Sequence, residues 1–145
     1  IFIDADACPV KEEVYTVARR AGCPVHVVTN SFIRVPPPAQ LTVVEAGPDV
    51  ADDWIAERVQ PRDIVITNDI PLASRTLKAG GFALGANGKP FTASSIGVAL
   101  AQRELMEHLR SFGEVTGGPK PFTQADRSRF LSALDATVQK AKAKR

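Results

Sequence analysis

Short apolar runs alternate with helical periodicity along the chain from its first residue. The runs occupy residues 1–3, 25–29, 41–44, 64–67 and 82–84, and each is near-continuously apolar. Strands of a parallel sheet look like this when helices cover both faces. Between the runs the apolar spacing lengthens to that of a helix. The first helix is predicted over about residues 9–21, with Val10, Val14, Val17 and Ala18 on one face and Gly22 to end it. The second is predicted over about residues 50–59, where Asp49, after Gly47 and Pro48, is placed to cap the amino end. A third begins at Pro71, a residue suited to the first helical position, and stops at Gly80 and Gly81. This alternation implies right-handed βαβ units, so the fold class is α/β: a Rossmann-like, three-layer α/β/α sandwich around a parallel sheet of about five strands.

Downstream the alternation stops. Residues 92–112 form a predicted long helix carrying Ile96, Leu100, Leu105, Met106, Leu109 and Phe112. A Gly/Pro/Thr loop over 113–121 leads to a last helix from Thr123 to about residue 140, with Thr123 as its cap and Asp126 three residues in. Both C-terminal helices are expected to pack on the sheet. Between the second and third runs, Arg34-Val-Pro-Pro-Pro38 is a stiff extended connection, because each proline fixes its own φ and biases its neighbour.

With 145 residues, the chain is expected to form a single domain over residues 1–145. Hydrophobic residues at 44% and charged residues at 23% exclude disordered, collagen-like and coiled-coil classes. No stretch approaches the ~18 consecutive apolar residues of a membrane span, and Ile-Phe-Ile-Asp at the start is unlike a signal peptide, so a cytoplasmic location without membrane partners is expected. Cys8 and Cys23 are read as free thiols. Cys23-Pro-Val-His26 has a zinc-like spacing, but Cys8 and His108 supply no second ligand pair. Charge is uneven: residues 1–115 hold 11 Lys/Arg against 14 Asp/Glu, whereas residues 116–145 hold 7 against 2. An acidic body with a basic C-terminal helix and tail over about 123–145 points to a polyanionic partner, although cations also suit a helix end.

In an open parallel sheet the ligand site lies beyond the carboxyl ends of the strands. There this chain is acidic. Asp4 and Asp6 follow the first run, Asp49, Asp52 and Asp53 follow the third, and Asn68 and Asp69 follow the fourth. Asp4 and Asp6 are two apart on extended chain, and Asp49, Asp52 and Asp53 share a helix face by their spacing. Carboxylates gathered in one cleft repel one another unless protons or a cation neutralise them. Mg²⁺ or Mn²⁺ suits an all-oxygen set better than zinc, and the chemistry that follows is hydrolysis or transfer at phosphorus. Asp4, Asp52 and Asp69 are the expected catalytic residues. Asp4, Asp6, Asp52 and Asp69 are the expected metal ligands, with Asp49 and Asp53 in reserve. Asp49 and Asp69 also suit plain helix caps, and Asp53 a solvated face.

Asp-Ala-Asp-Ala-Cys-Pro-Val-Lys at 4–11, Arg-Val-Pro at 34–36, Asp-Val-Ala-Asp-Asp-Trp-Ile at 49–55 and Val-Ile-Thr-Asn-Asp-Ile-Pro-Leu-Ala at 65–73 strongly resemble the bacterial YaiI/YqxD family. Thr-Gly-Gly-Pro at 116–119 and Asp126-Arg127 with Phe130 add to the resemblance, which covers nearly the whole chain. That family looks like a branch of the PIN-like nucleases. The resemblance implies a small parallel sandwich with an acidic metal site, in which Asp4, Asp52 and Thr67-Asn68-Asp69 match the expected positions. It implies Mg²⁺- or Mn²⁺-dependent cleavage of nucleic acid, RNA ahead of DNA. The fourth acid usual in those nucleases does not follow Asp69, where Ile-Pro-Leu-Ala stands instead, and Asp6 is the candidate to replace it.

Lys11, Asn30, Arg34, Asn68 and Arg127 are the expected substrate contacts, with Lys120 and Arg129 as further phosphate binders. Arg34 and Arg127 stand out because they lie inside family motifs. Trp54 fits helix packing better than base stacking. Two other functions share part of the pattern. A strand leading into Asp4-Ala-Asp6 resembles a haloacid-dehalogenase-like phosphatase with Asp4 as nucleophile, although Ala7-Cys8-Pro9 follows where that class has Gly-Thr or similar. A non-catalytic nucleic-acid-binding module would use the basic tail and Arg34 and keep the acids as structural groups.

Overall fold

The structure, a computed structural model, describes residues 1–5, 8–37, 39–47, 49–98, 101 and 123–143. Five strands, β1 (Phe2–Asp4), β2 (His26–Thr29), β3 (Gln40–Val43), β4 (Ile64–Ile66) and β5 (Phe82–Leu84), form one sheet in the order β3-β2-β1-β4-β5. Every neighbouring pair is parallel. The intervening helices are α1 (Lys11–Ala21), α2 (Val50–Ala56) and α3 (Ile70–Lys78), and the chain returns in a C-terminal helix over Gln124–Ala143. The parallel α/β sandwich expected from the apolar pattern is the observed architecture.

Side chains alternate along each strand, so the register sorts them into two layers. Ile3 pairs with Val27 and Ile66, and Ile66 pairs with Leu84. These four meet Val14, Val17 and Ala18 of α1 and Phe130, Leu134 and Val138 of the C-terminal helix in the larger core cluster. Phe130, Leu134 and Val138 recur every four residues and are all fully buried, which is the narrow apolar stripe by which a mostly polar helix attaches to a sheet. On the opposite face Phe2, Val28 and Val65 meet Ala51 and Ile55 of α2 and Leu72 of α3 in a smaller cluster.

The helix ends differ from the expectations in instructive ways. The first helix begins at Lys11 rather than Pro9 and closes at Gly22, whose φ of 68° is the left-handed turn that glycine favours. The second stops at Ala56, where the chain tightens into a turn in which Arg58 N donates to Ile55 O, three residues back, at 3.0 Å. Asp49 occupies the N-cap position of α2 but makes no side-chain cap bond, and its backbone is left-handed at φ 65°. Asp69 does cap α3: its Oδ1 accepts from Leu72 N at 2.9 Å, with Pro71 in the first turn. Residues 93–98 are helical, opened by reciprocal bonds between Thr92 and Ser95. Most of the remaining expected 92–112 helix, and the whole 113–121 loop, lie outside the described residues. The C-terminal helix runs to Ala143, three residues past its expected end. No helix among the described residues is long and apolar enough to cross a membrane.

Candidate metal centre at the carboxyl edge of the sheet

The chain leaves β1 towards β2 and β3 on one side and later returns to lay β4 and β5 on the other. The strand order therefore reverses between β1 and β4, where open α/β sheets form their crevice. Asp4 is the last residue of β1 and shares a sheet face with Phe2, so it is directed to the side of α2 and α3. Asp49 and Asp52 come from the amino end of α2, and Thr67, Asn68 and Asp69 link β4 to α3. Asp4, Gly47, Asp49, Ala51, Asp52, Asn68 and Asp69 line a cleft of about 330 Å³.

One hydroxyl ties two of the acids together. Thr67 Oγ1 donates to Asp4 Oδ2 at 2.9 Å and accepts from the backbone N–H of Asp69 at 2.9 Å. Thr67 is only 3% exposed, so this bridge sits under the cleft and fixes Asp4 and the start of α3 relative to each other. Asn68 Oδ1 accepts from Ala86 N at 3.0 Å, which anchors this exposed part of the cleft's lining to the turn after β5.

Carboxylate oxygens of Asp49, Asp52 and Asp69 lie within 4.8 Å of one another. The electrostatic consequence falls on Asp52. Burial, then the charge of Asp4, then the charge of Asp69 and a hydrogen bond with it, and lastly the charge of Asp49 raise its carboxyl from 3.8 to about 7. Hard, all-oxygen donor sets of this kind select Mg²⁺ or Mn²⁺ over softer ions. Among the described residues the group with metal-ligand geometry is carboxylate-only.

The other expected site residues are distributed more widely. Asp53 turns away from the cluster to Arg75 of α3, 2.5 Å away on an exposed surface. Asp6, Lys120, Lys144 and Arg145 lie outside the described residues. Lys11 Nζ donates to Cys8 O at 2.8 Å. Arg127 donates to Pro9 O at 2.8 Å and to Glu13 Oε1 at 3.1 Å, tying the C-terminal helix to the start of α1. Arg129 pairs with Asp126, and Lys142 donates to the carbonyl of Ala21 at the end of α1. Asn30 and Arg34 are exposed on the connection after β2. Trp54 packs in α2 against Phe2 and His26, with the Arg58 guanidinium 4.0 Å over its ring. His26 Nε2 is hydrogen-bonded to Thr42 Oγ1. Among the site's structural supports, the Asn68–Ala86 bond was not foreseeable, since it joins residues 18 apart without a local motif. The Thr67 bridge is signalled by the hydroxyl residue that ends the fourth apolar run, within the Thr67-Asn68-Asp69 segment that the resemblance singles out.

The fold and this cleft together define a doubly wound α/β protein with an acidic crevice where its strand order reverses. The family described as "Uncharacterized BCR, YaiI/YqxD family" matches residues 2–140. A "UPF0178 protein" of Caulobacter sp. (strain K31) is 64% identical over 144 residues, covering 98% of this chain and 95% of that relative. A second, from Caulobacter vibrioides (strain NA1000 / CB15N), is 64% identical over 98% of this chain and 94% of its own length. A third, from Rhodopseudomonas palustris (strain HaA2), is 61% identical over 97% and 87% respectively. The chain belongs to the YaiI/YqxD family. No solved structure matches it.

Proposed function

We propose that the chain is a divalent-metal-dependent nuclease that hydrolyses phosphodiester bonds at the acidic cleft. The observation that carries the reading is the convergence of Asp49, Asp52 and Asp69 from two segments, with Asp4 lining the same cleft from a third. Such a set is costly without a counter-charge, and the proton that Asp52 retains to about pH 7 is the sign of that cost. Mg²⁺ or Mn²⁺ bound there would lower the pKa of water and offset negative charge at the scissile phosphate. Asp49, Asp52 and Asp69 serve as ligands, together with Asp4, which lines the same cleft. Thr67 keeps Asp4 and Asp69 in register, and Asn68, held by Ala86 N, lines the cleft. The substrate is RNA or DNA, with the exposed Asn30 and Arg34 available on the connection after β2.

The test is cleavage of end-labelled single-stranded RNA and DNA in Mn²⁺ by the native chain and by Asp4→Asn. The expected result is metal-dependent product from the native chain and none from a folded Asp4→Asn protein. Equal cleavage by the two would contradict the proposal. Trapping of phosphate as a covalent acyl phosphate on Asp4 would instead establish phosphatase chemistry.

A further inference from the structure

The most exposed large apolar side chain among the described residues is Phe32, at 82%. It stands on the connection that leaves β2 at Thr29 and crosses to β3. Its exposure is imposed by its neighbours. Phe32 is out, Ile33 is half-buried, Arg34 is out and Val35 is half-buried, and Ile33 and Val35 both pack against the larger core cluster. Alternation of this kind belongs to extended chain, in which side chains two apart share a side about 6.5 Å from each other. The segment is held at both ends. Ser31 N donates to Thr29 Oγ1 at 3.3 Å, and Pro36 and Pro37 lead into a turn closed by Ala39 N on Pro36 O at 2.9 Å. Phe32 and Arg34 are thus presented together, to solvent, on a stiffened strip.

The strip begins at the working end of the sheet. Val28 of β2 is level with Asp4 in the register, and the connection starts just beyond it. Arg34 makes no ion pair among the described residues, and the side chains that line the cleft at this end of the sheet include four carboxylates and no cation. A phosphate-bearing chain approaching that cleft needs positive charge outside it.

We infer that Phe32 and Arg34 form a nucleic-acid contact arm, with the Phe32 ring stacking on an unpaired base and the Arg34 guanidinium holding a neighbouring phosphate. The inference rests on the nuclease reading and names the form in which the substrate is held. A duplex keeps its base faces stacked on one another, so a protruding ring finds a partner only on an unpaired base. Arginine supplies the planar fork that matches phosphate oxygens.

The test is fluorescence anisotropy with a labelled single-stranded RNA dodecamer and its duplex, with Ca²⁺ in place of Mn²⁺ so that the strand stays intact. Native chain, Phe32→Ala, Phe32→Leu and Phe32→Trp are compared. Phe32→Ala is expected to weaken single-strand binding about ten-fold, Phe32→Leu nearly as much, and Phe32→Trp to retain it, with duplex binding unchanged across the set. Thermal melting and Mn²⁺ calorimetry should not change, because the ring is exposed and lies outside the carboxylate cluster. Native-level single-strand binding by Phe32→Ala would overturn the arm while leaving the nuclease reading in place. Native-level binding by Phe32→Leu would overturn stacking as its basis. A native chain that binds no strand at all would overturn both.

Discussion

The two faces of the sheet are built for different tasks. On one, α1 and the 20-residue C-terminal helix bury Phe130, Leu134, Val138, Val14 and Val17 against Ile3, Val27, Ile66 and Leu84. On the other, α2 has seven residues and α3 nine, and their cluster is much smaller. Yet the short helices carry the chemistry. Their amino ends hold Asp49, Asp52 and Asp69 against Asp4, an arrangement of like charges that opposes folding. The comparison teaches that the long-helix face supplies stability that the acidic face expends, since burial of a large apolar side chain is worth about 1.5–3 kcal/mol and crowded carboxylates only subtract.

Four substitutions sharpen this contrast. The largest effect is expected on the long-helix face: Phe130→Ala removes a fully buried ring and should cost about 3–5 kcal/mol in urea unfolding. A loss under about 1 kcal/mol would mean that this helix is not a stability element. Next, Thr67→Val removes both bonds that join Asp4 to the start of α3 and should cost about 1–2 kcal/mol, while weakening Mn²⁺ binding by loosening two ligands. Unchanged Mn²⁺ affinity in that variant would show that the bridge does not position the acids.

The third effect is a pH dependence of opposite sign to that of an acid held in an ion pair. Asp52 keeps its proton to about pH 7 when folded but releases it near 3.8 when unfolded. Between those values the folded state carries the extra proton, so metal-free stability should fall as pH rises through the window and level off above about 7. Because the group is only part-buried, the fall is modest, and Asp52→Asn should flatten it in unfolding curves taken with chelator present. A slope that survives Asp52→Asn would assign the charge strain to another group. The smallest effect is expected from Arg75→Ala, which breaks the exposed pair with Asp53 and should cost under about 1 kcal/mol.

The long-helix face and the sheet were legible because burial on both sides writes continuous apolar runs and helical stripes into the sequence. All five strands fall within a residue or two of those runs, and Gly22 ends α1 as expected. Helix ends were less legible where a local signal competed with a tertiary one. Asp49 has the residue type and position of a cap, but its left-handed backbone turns α2 so that its carboxylate meets Asp52 and Asp69 instead. Asp53 shares the α2 spacing with the others, yet Arg75 on the next helix draws it away, and no pattern in α2 alone carries that information. Asp69 suits both a cap and a ligand by its position in the sequence, and its carboxylate both caps α3 and joins the cluster.

The central claim is that the carboxylates at the β1/β4 crevice form a divalent-cation site. Calorimetric titration of Mn²⁺ into metal-stripped chain at about pH 7.5, beside Asp52→Asn under the same conditions, tests it most directly. The account predicts saturable binding to the native chain and at least about a ten-fold loss of affinity in Asp52→Asn. Absence of Mn²⁺ binding to the native chain, or equal binding by a folded Asp52→Asn protein, would contradict it.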